Sequence, residues 1–167
     1  YEALGQMAAA ASPGANGLFF LPYLTGERCP YPDPHARGGW IGLTQRHSLN
    51  HLARSVMEGI TFGLNDSVRM MREMRLPVNE VYASGGAAKS EFWRRLMANV
   101  FGVPVLTTNV AEGGAFGAAL LAAGGGRMFT STTEAVDQIL RVTSRVEPDA
   151  QAVAVYRDIH SLYRELY

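Results

Sequence analysis

The sequence predicts an α/β fold in which short parallel strands are joined by crossover helices. Two short β-type runs, at 80–84 and 103–107, alternate with helix-type patterns over about 90–101 and 112–123. A strand, helix, strand, helix order at this spacing is typical of crossover connections in a parallel sheet. The chain has 167 residues, of which 47% are hydrophobic and 18% are charged, so it can form a substantial core.

The leading segment, residues 1–46, is predicted to combine a short helix with a long loop. The alanine-rich residues 1–11 favour a helix, and the apolar run 18–21, which Pro22 ends, favours a short buried strand. Glycine and proline recur from 25 to 39 too often for a helix or an interior strand, so this stretch is predicted to be a loop.

The strongest helix pattern runs from Ser48 to about Arg75, where apolar residues recur at steps of three and four. These positions are Leu49, Leu52, Val56, Ile60, Leu64, Val68 and Met71. Ser48 is the predicted N-cap. Gly59 and Gly63 lie one turn apart, and each costs roughly 1 kcal/mol relative to alanine inside a helix, so the pair predicts a close approach to another backbone.

The predicted α/β core, residues 47–126, is followed by a C-terminal segment, residues 127–167, that we expect to contain two helices. Residues 131–134 fit a capping box before a helix at 135–141. Pro148 is expected in the first turn of the last helix, because proline suits that position.

Composition argues against several classes of function. Basic and acidic side chains number 15 each, and this balance is unlike that of proteins that bind nucleic acid or anionic membranes. Cys29 is the only cysteine, so an internal disulfide or a cysteine-rich zinc site is excluded. The longest apolar run, 113–126, is shorter than the roughly 20 residues of a membrane span. No secretory signal is predicted, and we expect a cytoplasmic location.

The candidate binding site is the turn at 83–90, where a predicted strand leads into Gly85 and Gly86 and then into a helix. Ligands of open α/β sheets bind beyond the carboxyl ends of the strands. Glycines let a flat ring or a phosphate approach the backbone, and the N–H groups of the next helix point at the same space. A second glycine-rich stretch, 112–119, should open on the same edge of the sheet. The alternatives are a turn without a ligand and, for Gly117, close helix packing.

Other constellations of polar residues give weaker indications. Ala88 stands where a P-loop needs glycine, so a P-loop is not predicted. No G-x-G-x-x-G follows a strand, so a dinucleotide-binding motif is not predicted either. His47 and His51 lie one helical turn apart, but no third metal ligand is evident, so a solvated helix start is expected. Four carboxylates are expected to be solvated or to cap helices. They are Asp66, Asp137, Asp149 and Asp158.

The chain resembles the C-terminal part of the FGGY family of carbohydrate kinases. The second signature of that family is present as 38–43, a seven-residue spacer, and 51–58. Three further stretches, 17–28, 84–104 and 112–119, agree with the family in the same order. The resemblance therefore covers nearly the whole chain.

This resemblance implies the actin/hexokinase architecture, in which two ribonuclease-H-like domains close on a cleft. It implies that ATP, with Mg²⁺, donates its terminal phosphoryl group to a hydroxyl of a ketose or polyol. Gly85 and Gly86 are then expected to lie against the adenosine and its phosphates. Ser90 matches the position at which related glycerol kinases place an asparagine that meets the adenine. The resemblance gives Lys89 no role.

The resemblance also implies what this chain lacks. The general base and most of the sugar site belong to the family's first domain, and the first strands of the second domain are also missing. We therefore expect a truncated chain that is inactive alone and has no catalytic residue of its own. Its expected partners are the nucleotide, the sugar and the missing N-terminal domain. An unpaired sheet edge and an uncovered apolar face predict self-association or a homodimer.

Two other functions are compatible with the sequence. One is a non-catalytic α/β binding or interaction module, in which the glycine turn serves packing alone. The other is a sugar kinase that acts on a different pentose or polyol, since the sugar contacts of this family lie mostly in its first domain.

Overall fold

The computed structural model describes residues 2–29, 32–110 and 113–166, and it shows a mixed α/β fold. The helices are α1 (Glu2–Ala9), α2 (Leu49–Glu73), α3 (Gly85–Lys89), α4 (Glu91–Phe101), α5 (Gly113–Gly125), α6 (Thr132–Ile139) and α7 (Ala150–Arg164). The strands are β1 (Phe19–Leu21), β2 (Gly39–Ile41), β3 (Val81–Tyr82), β4 (Val105–Thr108) and β5 (Val142–Val146).

The strands form two small sheets. β1 and β2 pair in antiparallel fashion, whereas the second sheet has the order β3-β4-β5. β3 runs parallel to β4, as the sequence predicts, and the helices α3 and α4 connect them. β5 runs antiparallel to β4 and makes this sheet mixed.

Strand β5 is absent from the sequence-based prediction, which assigns only helices to 127–167 and is wrong there. The strand is short, and its mixture of polar and apolar residues gives little periodic signal. Its hydrogen bonds come from β4, a partner more than 30 residues away, and the Thr107 and Thr143 hydroxyls lie 3.1 Å apart. Pairing with a distant strand therefore decides the structure here.

The longest helix, α2, confirms the predicted helix and its start at Ser48. The last helix starts later than predicted. Asp149 is its N-cap and accepts the Ala152 N–H at 2.8 Å, so Pro148 lies outside the first turn. The prediction for Pro148 is wrong because the adjacent aspartate supplies a carboxylate to the exposed N–H groups of the helix.

The core lies where α2, α4 and α7 pack together and where α4 covers strand β4. Its large side chains include Met57, Phe62, Trp93, Leu96, Phe101, Val105, Tyr156 and Tyr163. The leading, middle and C-terminal segments all contribute residues to it. Among the described helices, none combines the length and the apolar character that a membrane crossing requires.

Candidate functional site

The glycine turn follows β3 directly and is open to solvent. Ser84 is extended, and Gly85 adopts a φ of +73°, a conformation that side chains disfavour. A Cβ placed on Gly85 would have no neighbouring atom within 4 Å among the described residues, so none of these fills the space in front of it. Sequence reasoning predicted one helix after the turn, but α3 ends at Lys89 and α4 begins at Glu91.

Ser90 separates the two helices and is buried, with 7% of its surface exposed. Its backbone is extended, and its hydroxyl accepts the Trp93 N–H at 3.3 Å, which makes it the N-cap of α4. A Cβ on Gly5 would stand 3.0 Å from the same hydroxyl, so α1 passes close to this corner. The chain therefore uses Ser90 to hold the helix start and the first helix together.

A cavity of about 370 Å³, here called the α1–α4 pocket, lies where α3 meets α4, and its lining includes Lys89 and Ser90 but not Gly85 or Gly86. Its lining comes from one face of α1 and from the junction between α3 and α4. These residues are Glu2, Gly5, Gln6, Ala9, Lys89, Ser90, Glu91 and Phe92. The small residues of α1 leave the volume of the pocket unfilled. Charged and amide side chains provide hydrogen-bonding groups at its rim.

The second glycine-rich stretch comes close to the first. Gly113 starts α5, and a Cβ there would be 3.8 Å from the Ser84 hydroxyl. Within the described parts of the chain, Cβ atoms on Gly114 and Gly117 would meet nothing within 4 Å. The packing interpretation of Gly117 is therefore wrong, since no described neighbour needs its missing side chain. Glu112, at the start of the predicted helix, lies outside the described residues.

A buried polar network lies at the centre of the signature helix α2, and sequence reasoning missed it. Glu58 Oε1 accepts from Arg54 Nε at 2.8 Å, from the Gly14 N–H at 3.0 Å and from the Tyr156 hydroxyl at 2.9 Å. The Arg54 guanidinium also donates to the Tyr156 hydroxyl and to the Ala8 carbonyl. The network thus joins α1, α2 and α7.

Burial and ion pairing act against each other in this network. It raises the pKa of Glu58, and the hydrogen bond and charge of Arg54 oppose that rise. Burial would lower the pKa of Arg54, but Tyr156 and Glu58 outweigh it and the pKa is raised. Burial and the Glu58 charge raise the pKa of Tyr156. The arginine therefore stays charged, and these groups fasten helices together.

A second buried cluster contradicts the expectation that Asp66 is solvated. Asp66 has no exposed surface, and its Oδ1 lies 3.3 Å from His160 Nε2 and 3.4 Å from Arg164 Nε. Arg69 Nε is a third basic neighbour, at 3.7 Å. The cluster attaches α7 to α2. Asp66 lies one turn after Phe62, which the structure places in the core.

The histidine pair has a local role. His47 Nδ1 accepts the Thr44 N–H at 2.9 Å, and His51 Nδ1 accepts the Ser48 N–H at 3.1 Å. Both rings therefore serve the start of α2. In residues 2–29, 32–110 and 113–166, no three His, Cys, Asp or Glu side chains are grouped as metal ligands.

The fold is that of sugar kinases with the actin/hexokinase-type architecture. A ligand-bound xylulose kinase from Lactobacillus acidophilus superposes with a TM-score of 0.86 and 35% identity, covering 98% of this chain and 33% of that one. A gluconate kinase from Lactobacillus acidophilus gives a TM-score of 0.85 and 35% identity, over 98% of this chain and 33% of the other.

Sequence comparison defines the family. A model of the C-terminal domain of the FGGY family of carbohydrate kinases matches residues 1–125. The xylulose kinase of Bacillus subtilis (strain 168) is 40% identical over 167 residues, which is 100% of this chain and 34% of that protein. The chain belongs to the FGGY family of carbohydrate kinases and spans about a third of the length of the curated relatives it matches.

Proposed function

We propose that this chain is part of an ATP-dependent sugar kinase and supplies the adenosine side of the nucleotide site. The whole enzyme transfers the terminal phosphoryl group of ATP to a sugar hydroxyl. The observation that carries the proposal is the open turn at Gly85, which follows β3 and is joined by α3 to Lys89 and Ser90 in the lining of the α1–α4 pocket. An exposed backbone next to a cavity suits a ligand with both a flat ring and phosphates.

In this proposal the chain's own residues bind and orient the nucleotide. Gly85 and Gly86 let it lie against the backbone, and the α1–α4 pocket receives the base. Ser90 lines that pocket, so the adenine edge lies beside it while its hydroxyl caps α4. The stretch from Gly113 faces the same space and borders the phosphates.

Catalysis requires more than this chain provides. Phosphoryl transfer depends on positioning, on metal ions that neutralise the phosphates, and on a group that accepts the proton of the attacking hydroxyl. Among residues 2–29, 32–110 and 113–166, no three His, Cys, Asp or Glu side chains are grouped so that they could hold a metal ion. We expect the chain alone to release no ADP from ATP.

We propose D-xylulose as the acceptor and xylulose 5-phosphate as the product. The support is the 40% identity to a protein named xylulose kinase, extending over the whole chain. Gluconate is the second candidate, because a gluconate kinase superposes almost as closely, with a TM-score of 0.85. We also propose that the whole protein acts in the cytoplasm.

We also propose that the isolated chain self-associates. An apolar groove of about 430 Å³ runs along α2 and includes Leu4, Trp40 and Leu49, all of which are substantially exposed. β3 is an edge strand of its sheet. Apolar patches and open edges favour association. Light scattering at increasing concentration should show a rising mass, and a constant monomer mass would contradict this proposal.

Calorimetric titration tests the nucleotide site. ADP should bind the 167-residue chain, and GDP should bind more weakly. An absence of ADP binding would favour the non-catalytic module, in which the turn serves packing alone. The same preparation, given ATP, Mg²⁺ and xylulose, should release no ADP, and steady release would show that the chain is sufficient for catalysis.

A further inference from the structure

The α1–α4 pocket contains a cation that has no partner in the described parts of the chain. Lys89 is the last residue of α3, lines this pocket and is exposed. Among residues 2–29, 32–110 and 113–166, its side chain makes no hydrogen bond or ion pair. Of the two carboxylates in the lining, Glu91 is already paired with Arg95 at 2.7 Å.

The position of Lys89 relates it to the glycine turn. α3 has five residues, so Lys89 follows Gly85 by about 6 Å along the helix axis. A lysine has a flexible four-carbon stem and a compact positive charge, which suit contact with phosphate oxygens. An anion resting on the bare backbone at Gly85 therefore lies within reach of this ammonium group.

We propose that Lys89 binds the polyphosphate of the nucleotide held at the glycine turn, and so favours ADP and ATP over uncharged adenosine. This inference rests on the proposed function and adds a residue to its site. The ammonium supplies a positive charge that neither Gly85 nor Ser90 can offer. Adenosine, which carries no phosphate, gains nothing from it.

The test compares three ligands on matched variants. Calorimetry should show that Lys89→Gln weakens ADP and ATP binding by about five-fold, as expected for one exposed charge contact, and leaves adenosine binding unchanged. The control is Arg157→Gln, which removes an exposed charge on α7 away from the pocket. It should bind all three ligands like the parent chain.

A labelling experiment gives an independent readout. Lys89 is the only lysine in the chain, so acetylation of this peptide, measured by mass spectrometry, reports on one side chain. ADP should slow the modification of Lys89, and adenosine should not.

The outcomes separate this inference from the proposed function. The inference is overturned, and the nucleotide site stands, if ADP binds the parent chain and Lys89→Gln equally. The same holds if Lys89→Gln weakens the binding of adenosine as much as that of ADP. If no adenine nucleotide binds the parent chain, both are overturned. Equal protection of Lys89 by ADP and adenosine also overturns the inference.

Discussion

Gly59 lies against the carbonyl oxygen of Phe20, so a Cβ at position 59 would stand 2.0 Å from that oxygen. The neighbour is backbone and cannot rotate away, so α2 and β1 would have to separate. We expect Gly59→Ala to lower the free energy of unfolding by about 3 kcal/mol, at the upper end for overpacking. Urea denaturation followed by circular dichroism measures this loss.

The matched control is Gly63→Ala, one turn further along α2. Its Cβ would be 3.8 Å from Pro22 Cγ, which is ordinary contact. Alanine should then raise the free energy of unfolding by up to about 1 kcal/mol, because it favours the helix. If both variants lost the same free energy of unfolding, the contact of Gly59 with Phe20 would be unimportant for stability.

Local patterns made much of the fold predictable. The glycine pair of α2 indicated a close backbone contact, and Gly59 makes one. Gly102 adopts φ +66° at the end of α4, two residues before Pro104, which prevents the helix from continuing. Such features depend on a few adjacent residues, so they can be predicted from the sequence alone.

Long-range pairing was not predictable in the same way. Asp66 is a polar residue on a helix, and His160 and Arg164, which lie against it, are more than 90 residues away in the sequence. Strand β5 likewise depends on β4. At the candidate site, the turn pattern predicted Gly85 and Gly86, whereas the pocket lined by Lys89 and Ser90 depends on α1, which comes from the other end of the chain.

Neutralising Asp66 should destabilise the chain strongly. Asp66→Asn leaves His160, Arg164 and Arg69 without their buried anion, and breaking such a cluster typically costs about 3 kcal/mol. Asp158→Asn is the control, since the Asp158 side chain is 79% exposed and should change stability by less than about 0.5 kcal/mol. Thermal unfolding of both variants measures the difference, and equal midpoints would contradict the prediction.

Arg54 and Glu58 should show strong coupling in a double-mutant cycle. Arg54→Met leaves a buried carboxylate without its cation, and Glu58→Gln leaves a buried guanidinium without its anion. Each change should cost about 3 kcal/mol, and the double variant should cost less than the sum because no unpaired charge remains. Chemical denaturation of the four proteins gives the coupling energy. Simple additivity would mean that the ion pair adds nothing.

A methyl group at the glycine turn should separate binding from stability. Gly85 has φ +73° and open space around it, so Gly85→Ala should cost about 1 kcal/mol from backbone strain alone. It should also weaken ADP binding, because the methyl group covers the bare backbone. Gly125→Ala, at the open end of α5, is the control for both measurements and should leave ADP affinity unchanged.

The Glu58 carboxyl should make stability depend on pH. Burial raises its pKa in the folded chain above the ordinary 4.5. Below pH 4.5 the group is neutral in the folded and unfolded states, and its stabilising contribution is complete. As the pH rises through the raised pKa, the buried group must ionise and that contribution is lost. The free energy of unfolding of the parent chain minus that of Glu58→Gln should therefore fall with pH across this window.

Glu80 provides a control with the opposite sign. Hydrogen bonds from Tyr82 and Arg145 lower the pKa of this exposed carboxyl below 4.5, so its contribution is present above pH 4.5 and is lost as the pH falls through the lowered pKa. The free energy of unfolding of the parent chain minus that of Glu80→Gln should then rise with pH. Urea denaturation at intervals between pH 3 and pH 8 measures both differences. If the Glu58 difference also rose with pH, the Arg54 charge would outweigh burial at that carboxyl.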